Sequence, residues 1–157
     1  MKIKKILLIS SLGGHLEQLL SLKDVIGNYE SYIVTEKNES TEKLRNKYKN
    51  ISFLPYISRK NIFVFIYNYF KCFYISFKIF LSISPDVIVT TGSASVIPMC
   101  LFSKLFGKKV IFIETFSRIS SKTLTGRFCY YFADVFIIQW EELKDKYPNS
   151  IYLGSIY

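Results

Sequence analysis

The chain has 157 residues, of which 50% are hydrophobic and 17% aromatic, and its formal net charge is +9. This length suits one domain and is too short for two ordinary ones, so we assign 1–157 to a single domain. The high hydrophobicity excludes a disordered chain, because disorder requires low hydrophobicity. Eleven of the lysines and arginines lie between Lys43 and Ile113 with one acid, Asp86. Nucleic acid and an anionic membrane surface are the two partners that such a basic, aromatic segment suggests.

The cysteines and the N-terminus exclude several classes of site. Cys72, Cys100 and Cys129 are widely spaced, no Cys-x-x-Cys pair occurs, and there is one histidine. We therefore predict no metal site and three buried free thiols in a reducing compartment. The apolar run Ile6–Ile9 is shorter than the ~7–15 residues of a signal-peptide core, so it predicts a buried first strand.

Short apolar runs alternate with helical stretches along the chain. Strands are predicted at Lys4–Ser10, Ser31–Thr35, Ile51–Leu54, Asp86–Thr90, Lys109–Glu114, Asp134–Ile138 and Ile151–Leu153. Helices are predicted at 14–27, 39–48, 61–83, 94–106, 121–132 and 140–146. Continuous apolar runs such as 110–113 are typical of strands buried on both faces of a parallel sheet. The alternation predicts an α/β fold, a Rossmann-like parallel sheet with helices on both faces.

The predicted helix 61–83 has two interpretations. It is long enough to span a bilayer, but Lys71 and Lys78 lie well inside it, at a cost of about 2.5–3.5 kcal/mol each near the centre of a membrane. The lysines share one stripe opposite a broad face of Phe, Tyr and Ile, which is typical of a helix lying in the membrane interface. The other interpretation is a helix packed on the sheet with a solvated lysine stripe. Membrane contact is assigned to Phe63, Phe70, Lys71, Phe77 and Lys78.

The loop after the first predicted strand contains Gly13, Gly14 and His15. Ligands of parallel α/β sheets bind at the carboxyl ends of the strands, and two glycines let the backbone approach a ligand closely. The spacing is neither G-x-G-x-x-G nor a P-loop. His15 is the only histidine, and its position makes a structural cap and a catalytic role equally good interpretations.

Two further polar loops follow predicted strands and should meet the first at one edge of the sheet. Gly92 and Ser93 lie in the second loop, where they form either a capped turn or a pocket wall. Glu114 ends an apolar strand, which costs free energy unless the carboxyl is paired or used. Arg118 lies four residues later, where it can pair with Glu114 or bind a phosphate through two hydrogen bonds.

Four motifs in this order resemble a known family: Gly13-Gly14-His15 and the segments 86–94, 109–114 and 127–134. They resemble the acceptor-binding half of GT-B glycosyltransferases of the MurG type. More closely, the chain resembles the stand-alone PssD or CpsF subunits of exopolysaccharide and capsule synthesis. Those subunits are similar to the membrane-anchoring Alg subunit of the dolichyl-linked N-acetylglucosaminyltransferase. The resemblance covers almost the whole chain and includes the tail at 152–156.

This resemblance implies one half of a split glycosyltransferase. A separate UDP-sugar-binding subunit is then expected as partner, and the chain itself is expected to hold no tightly bound cofactor. The acceptor is expected to be a polyprenyl-diphosphate-linked glycan. The resemblance implies that His15 is the general base for the acceptor hydroxyl and that Glu114, at the cleft edge, is a second catalytic residue. It places Gly13, Gly14, Gly92 and Ser93 in loops that face the diphosphate or the acceptor.

The resemblance also implies a location and an interface. Eukaryotic relatives have an N-terminal transmembrane anchor, whereas this sequence starts at its first strand, so membrane contact falls to 61–83, aided by Met99–Phe106. The expected place is the cytoplasmic face of the cell membrane, as a peripheral or monotopic protein. The partner interface is assigned to the tail residues Leu153, Gly154, Ile156 and Tyr157.

Two other classes of function are alternatives. A basic nucleic-acid-binding domain would use 43–49 and the aromatic residues, but no recognised motif supports it, so we expect no nucleic-acid partner. A self-sufficient NAD- or nucleotide-binding enzyme would need a different glycine pattern. Glu36 is the one weak candidate for its acidic ribose ligand.

Overall fold

The computed structural model describes residues 4–57 and 61–156, and its seven parallel strands form one sheet in the order β3-β2-β1-β4-β5-β6-β7. The strands are β1 (Lys5–Ser10), β2 (Glu30–Glu36), β3 (Ile51–Leu54), β4 (Val87–Thr90), β5 (Lys109–Ile113), β6 (Val135–Ile138) and β7 (Ile151–Tyr152). Each strand end lies within one residue of its predicted position. The predicted Rossmann-like parallel sheet is therefore confirmed.

The strand order reverses next to β1. After β1 the chain proceeds outward through β2 to β3, then crosses back to place β4 on the other side of β1 and continues outward to β7. In open α/β sheets, ligands bind outside the carboxyl ends of the strands at such a reversal, because the flanking loops diverge there. The topology thus leaves room for a site between the loops that follow β1 and β4.

Helices connect the strands. Among the described residues the α-helices are α1 (Gly14–Leu20), α2 (Lys23–Asn28), α3 (Glu39–Glu42), α4 (Ile62–Ile83), α5 (Ile97–Leu105) and α6 (Leu124–Cys129). Single 3₁₀ turns cover Lys43–Asn46, Ala94–Val96 and Glu141–Leu143. The long helix α4 was predicted to within one residue at its start and ends where predicted.

The other helices differ from their predicted bounds for local reasons. The predicted helix 14–27 is two helices, because Leu22 leaves the helical backbone with ψ of 51°. The predicted helix 94–106 begins as a 3₁₀ turn, and Pro98 lies in the first turn of α5, where its missing N–H costs nothing. The helix predicted at 121–132 starts only at α6, because the Thr123 side chain caps it by accepting from the Gly126 N–H.

Short 3₁₀ geometry also replaces two of the predicted helices. The predicted helix 39–48 is one turn of α-helix continued by a 3₁₀ turn, and Asn38 and Thr41 form a reciprocal capping box at its start. The predicted helix 140–146 is the single 3₁₀ turn at Glu141–Leu143. Both segments lie on the connections that lead to or from edge strands, so there is less sheet for a long helix to cover.

The two faces of the sheet have separate apolar clusters. On one face, α4 and α5 pack on the central strands through residues such as Cys72, Phe80 and Met99. On the other face, α1 and α2 contribute Leu19, with Val25 partly buried against the same cluster. Burial on both faces explains why the central strands are continuous apolar runs rather than alternating ones. All three cysteines are buried free thiols, as predicted.

An ion cluster joins β5 to β6 at the amino ends of the strands, opposite their carboxyl ends. The Asp134 carboxylate accepts from the Val110 N–H at 2.9 Å, from Lys109 Nζ at 2.9 Å and from Lys104 Nζ at 3.0 Å. Burial alone would raise the pKa of Asp134, but the Val110 N–H and the two ammonium groups outweigh it and lower the pKa to about 2. Asp134 and its lysines are therefore structural.

Candidate functional site

A cleft of about 580 Å³ opens at the carboxyl ends of the strands, above the reversal of strand order. The loops after β1, β3, β4 and β5 line it together with the last residue of β2. Gly13, His15, Ser93 and Arg118 lie in this lining, as the three-loop prediction requires. The cleft therefore gathers polar groups that are up to about one hundred residues apart in the sequence.

His15 and Thr91 hold the first two loops together by reciprocal hydrogen bonds. His15 Nδ1 lies 2.8 Å from the Thr91 carbonyl oxygen, and Thr91 Oγ1 donates to the His15 carbonyl oxygen at 2.7 Å. A carbonyl only accepts, so Nδ1 has the proton, and in the neutral imidazole Nε2 keeps its lone pair. The arrangement therefore leaves His15 oriented in the cleft with Nε2 able to accept a proton.

Gly92 lies close to the imidazole of His15. Gly92 has φ of +99°, and a Cβ added there would lie 3.3 Å from Phe112 Cζ and 3.8 Å from His15 Cε1. Gly92 is buried and does not line the cleft. A side chain here would strain the loop and crowd Phe112, so Gly92 serves the shape of the site rather than contacting a ligand.

Ser93 adopts a backbone conformation that is normally restricted to glycine. Its φ is 99° and its ψ is 155°, which costs of order 1–3 kcal/mol for a residue with a side chain. Its Oγ lies 2.9 Å from Ser95 Oγ and accepts from the Ser95 N–H at 3.3 Å. Strain of this kind persists where the surroundings fix it, and here it presents the Ser93 hydroxyl to the cleft.

The two glycines of the first loop have different positions. Gly13 lines the cleft with φ of +71°, and a Cβ added there would meet no atom within 4 Å, so its backbone faces open space. Gly14 is the first residue of α1 and lies outside the cleft lining. Gly13 therefore fits the predicted role of a glycine that admits a ligand to the backbone, whereas Gly14 does not.

Glu114 does not lie at the cleft edge, which corrects the role assigned to it. It is 1% exposed, and its carboxylate accepts from Thr123 Oγ1 at 2.9 Å, from the Tyr147 hydroxyl at 2.8 Å and from the Thr115 N–H at 3.0 Å. Burial, followed by the Glu114 charge, raises the pKa of Tyr147 well above its ordinary value. The chain itself satisfies this carboxylate, so Glu114 is structural.

Arg118 is separate from Glu114, which rules out one of its two predicted roles. Its Nη1 donates to Ser121 Oγ at 3.2 Å, and the side chain is exposed and lines the cleft. Lys122 lines the same side of the cleft, with its ammonium 4.8 Å from the centre of the Tyr147 ring. The two cations make this side of the cleft suitable for a phosphate.

Glu36 has a larger part in the cleft than its weak sequence signal indicates. Its side chain ends β2, is 5% exposed and lines the cleft. Burial raises the pKa of Glu36 above its ordinary value, and a hydrogen bond from Ser95 offsets only part of that rise. The signal was present, because Glu36 ends a strand at the same edge as the three loops. Ser95, Tyr56 and Lys122 were missed because nothing in their local pattern marks them.

Metal chemistry has no support in the described part of the chain. Across 4–57 and 61–156, no three His, Cys, Asp or Glu side chains are close enough together to hold an ion. The donors that do line the cleft, a histidine and a single carboxyl, are mixed with hydroxyls and cations. The described lining of the cleft therefore offers a ligand hydrogen bonds and charge.

Helix α4 has a packed face only in its second half, and none of the residues 62–71 is buried. Cys72, Ser76, Phe80 and Ile83 are buried against the sheet, which is the face opposite the lysines. The exposed band consists of aromatic and aliphatic side chains beside Lys71 and Lys78: Ile62, Phe63, Val64, Ile66, Tyr67, Phe70 and Tyr74. The broad face predicted for the membrane is thus divided, since part of it binds the protein core.

The residues assigned to membrane contact are divided in the same way. Phe63 is 80% exposed and Phe70 is 72% exposed, whereas Phe77 is only half-exposed because it packs on Phe102 with ring centres 4.9 Å apart. Lys71 and Lys78 are exposed. Among the described helices, α4 is the one that is long and apolar enough to cross a membrane. Only 11% of its apolar 18-residue stretch is buried in the protein.

The tail assigned to the partner interface is only partly available. Leu153 is exposed, and Gly154 follows it with φ of +79°. The Ile156 N–H donates to Gln139 Oε1 at 3.1 Å and its side chain packs on the cluster under α1 and α2, so Ile156 is held by its own chain. Tyr157 lies outside the described residues.

Solved structures show which larger class of fold this sheet belongs to. MurG from Acinetobacter baumannii matches 97% of the chain with a TM-score of 0.74 at 15% identity. UDP-N-acetylglucosamine 2-epimerase from Rickettsia bellii matches 99% with a TM-score of 0.74 at 13% identity. The chain spans 45% and 46% of these two proteins. Its fold is that of the N-terminal half of a GT-B glycosyltransferase.

Sequence comparison then gives the family. The family described as "Oligosaccharide biosynthesis protein Alg14 like" matches residues 6–156, and the chain belongs to it. The mouse UDP-N-acetylglucosamine transferase subunit ALG14 is 28% identical over 179 residues, which cover 97% of this chain and 82% of the mouse protein. The subunit of the same name from Candida glabrata is 51% identical over 51 residues, covering 32% of this chain and 21% of its own length.

The Gly126→Ala variant tests the structural role of Glu114. A Cβ at Gly126 would overlap Glu114 Oε2 and lie 2.7 Å from both Thr123 Oγ1 and the Tyr147 hydroxyl. We expect the free energy of unfolding to fall by about 3 kcal/mol in urea denaturation. The control is Gly27→Ala in α2, where the added Cβ would meet no atom within 4 Å. This substitution should raise the free energy of unfolding by up to about 1 kcal/mol. Equal stability of Gly126→Ala and the wild type would contradict the described cluster.

Proposed function

We propose that this chain is the acceptor-binding subunit of a two-chain glycosyltransferase that is active only with a separate UDP-sugar-binding catalytic subunit. The observation that carries the proposal is the orientation of His15, whose Nδ1 is bonded to Thr91 while Nε2 is left to accept a proton in the cleft. The fold supports it, because it equals one half of a two-lobed enzyme. The related mouse protein is itself a transferase subunit by name.

The cleft chemistry fits attack by an acceptor hydroxyl on the anomeric carbon of a UDP-sugar. In this reaction His15 Nε2 takes the proton of the hydroxyl as the new carbon–oxygen bond forms and the bond to UDP breaks. Arg118 and Lys122 bind the diphosphate of a polyprenyl-diphosphate-linked glycan through charge-assisted hydrogen bonds. The Ser93 hydroxyl and the Gly13 backbone complete the polar wall.

The exposed band of α4 is the proposed membrane contact. Asn68 Nδ2 donates to the carbonyl oxygen of Tyr56, a cleft residue, at 3.4 Å, so the exposed first half of the helix lies at the cleft edge of the sheet. Because the second half of α4 packs on the sheet, we place the helix in the interface of an anionic membrane rather than across it, with Lys71 and Lys78 reaching the phosphates. With this contact the chain is a peripheral or monotopic protein, and its place on the cytoplasmic face is proposed from the family resemblance alone.

The partner and the biological setting complete the proposal. The exposed apolar residues of β7 and the following tail, Ile151, Tyr152 and Leu153, form the proposed interface with the UDP-sugar-binding subunit. The related mouse protein is by name a subunit of a transferase, which supports a separate partner subunit. The capsule or exopolysaccharide setting rests on the resemblance of the motif order to PssD and CpsF subunits.

Substitution of His15 tests the proposed mechanism in a transfer assay with the co-expressed partner subunit and lipid-linked acceptor. His15→Ala and His15→Asn should both lower kcat by about 10²- to 10⁴-fold, because neither has a general base. The asparagine variant keeps a side-chain donor for the Thr91 carbonyl, so it separates catalysis from the loop contact. Vesicle binding and co-purification with the partner should not change. Wild-type kcat in His15→Asn would sink the mechanism.

Flotation with vesicles tests the membrane surface. The double variant Phe63→Ser/Phe70→Ser should reduce binding to phosphatidylcholine–phosphatidylglycerol vesicles at least about 10-fold, because each phenyl ring contributes about 1.5–3 kcal/mol when it leaves water. The matched control is Tyr131→Ser, an aromatic residue that is 89% exposed outside α4 and should have no effect. If the control lost vesicle binding, or if the double variant bound vesicles as well as the wild type, the membrane contact would lie elsewhere.

A further inference from the structure

The chain contains two strand-end glutamates with opposite surroundings. Glu114, after β5, is surrounded by its own chain, which supplies donors from Thr123, Tyr147 and Thr115. Glu36, at the end of β2, is almost as buried, but it lines the cleft. No described lysine or arginine forms an ion pair with it. Glu36 is therefore a buried acid that has the protein on one side and the cleft on the other.

A carboxyl in this position has unused capacity to accept hydrogen bonds. A carboxylate has about four acceptor sites on its two oxygens, and Ser95 is the described side chain that bonds to Glu36. Burying such a group without a cation is costly, and the raised pKa of Glu36 records that cost. A buried acid with a raised pKa that lines a cleft is a candidate for contact with a ligand.

The charges of the cleft are arranged along the sheet. Glu36 ends β2, whereas Arg118 and Lys122 follow β5, and β1 and β4 lie between these two strands. Three strand spacings separate the two ends by about 14 Å. His15 lies between them, in the first turn of α1, which follows β1. A ligand that fits this order has an anionic part at the β5 end and a neutral, hydrogen-bond-donating part at the β2 end.

We propose that Glu36 binds the sugar of the diphosphate-linked acceptor, by accepting hydrogen bonds from a hydroxyl or an acetamido N–H, while Arg118 and Lys122 bind the diphosphate. This inference rests on the proposed function. A carboxylate repels phosphate, so Glu36 contacts the sugar and not the diphosphate. Ser95, which bonds to both Glu36 and Ser93, couples the acid to the strained Ser93 loop beside His15. Glu36 is thus a specificity-determining residue for the sugar.

The test compares three soluble probes in titrations of the full chain: farnesyl diphosphate, and farnesyl diphosphate linked to glucose or to N-acetylglucosamine. The wild type should bind at least one sugar-bearing probe more tightly than the bare diphosphate. Glu36→Gln should remove that advantage, a loss of about 10- to 100-fold, because a hydrogen bond to a charged group is lost. It should bind the bare diphosphate as the wild type does, which also shows that the cleft is intact.

Two further variants complete the design. Glu30→Gln makes the same change at the start of the same strand, at the other edge of the sheet, and should leave the affinities for all three probes unchanged. Arg118→Gln should weaken all three probes by the same factor. The role of Glu36 would be overturned if Glu36→Gln still bound a sugar-bearing probe more tightly than farnesyl diphosphate. It would also be overturned if the wild type bound no sugar-bearing probe more tightly than farnesyl diphosphate. Failure of the wild type to bind any probe would instead overturn the proposed acceptor function, and this inference with it.

Discussion

The reciprocal hydrogen bonds between His15 and Thr91 are the contact on which the site depends. They join the loop after β1 to the loop after β4 across the reversal of strand order, where the topology alone would let the loops diverge. They also fix the proton on Nδ1, so the same contact that shapes the cleft gives His15 its chemistry. Gly92 suits this junction, because its backbone has a positive φ and a side chain there would crowd Phe112.

The two buried glutamates show how one fold uses the same residue type in two ways. Glu114 holds the connection between β5 and α6 in place through Thr123 and Tyr147, and Gly126 leaves the room that this requires. Glu36 has the cleft on one side instead of a full set of protein donors. One carboxylate stabilises the scaffold, and the other is left for a ligand.

The sheet was predictable from sequence because buried apolar runs mark its strands almost to the residue. The helix ends were not, since they depend on single contacts such as the Thr123 cap, and propensity does not report these. Glu114 was assigned to the cleft because a strand-end acid is visible in sequence, whereas its partner Tyr147 lies 33 residues away. Glu36 was undervalued for the converse reason: its burial and its cleft only appear in three dimensions.

We propose that this chain binds the acceptor and leaves the nucleotide sugar to a partner subunit. The most direct measurement is a titration of the isolated chain with farnesyl diphosphate and, separately, with a UDP-sugar, repeated after the partner subunit is added. The account predicts that the isolated chain binds farnesyl diphosphate, and that UDP-sugar binding appears only with the partner. Binding of UDP-sugar by the isolated chain, with no binding of farnesyl diphosphate, would contradict it.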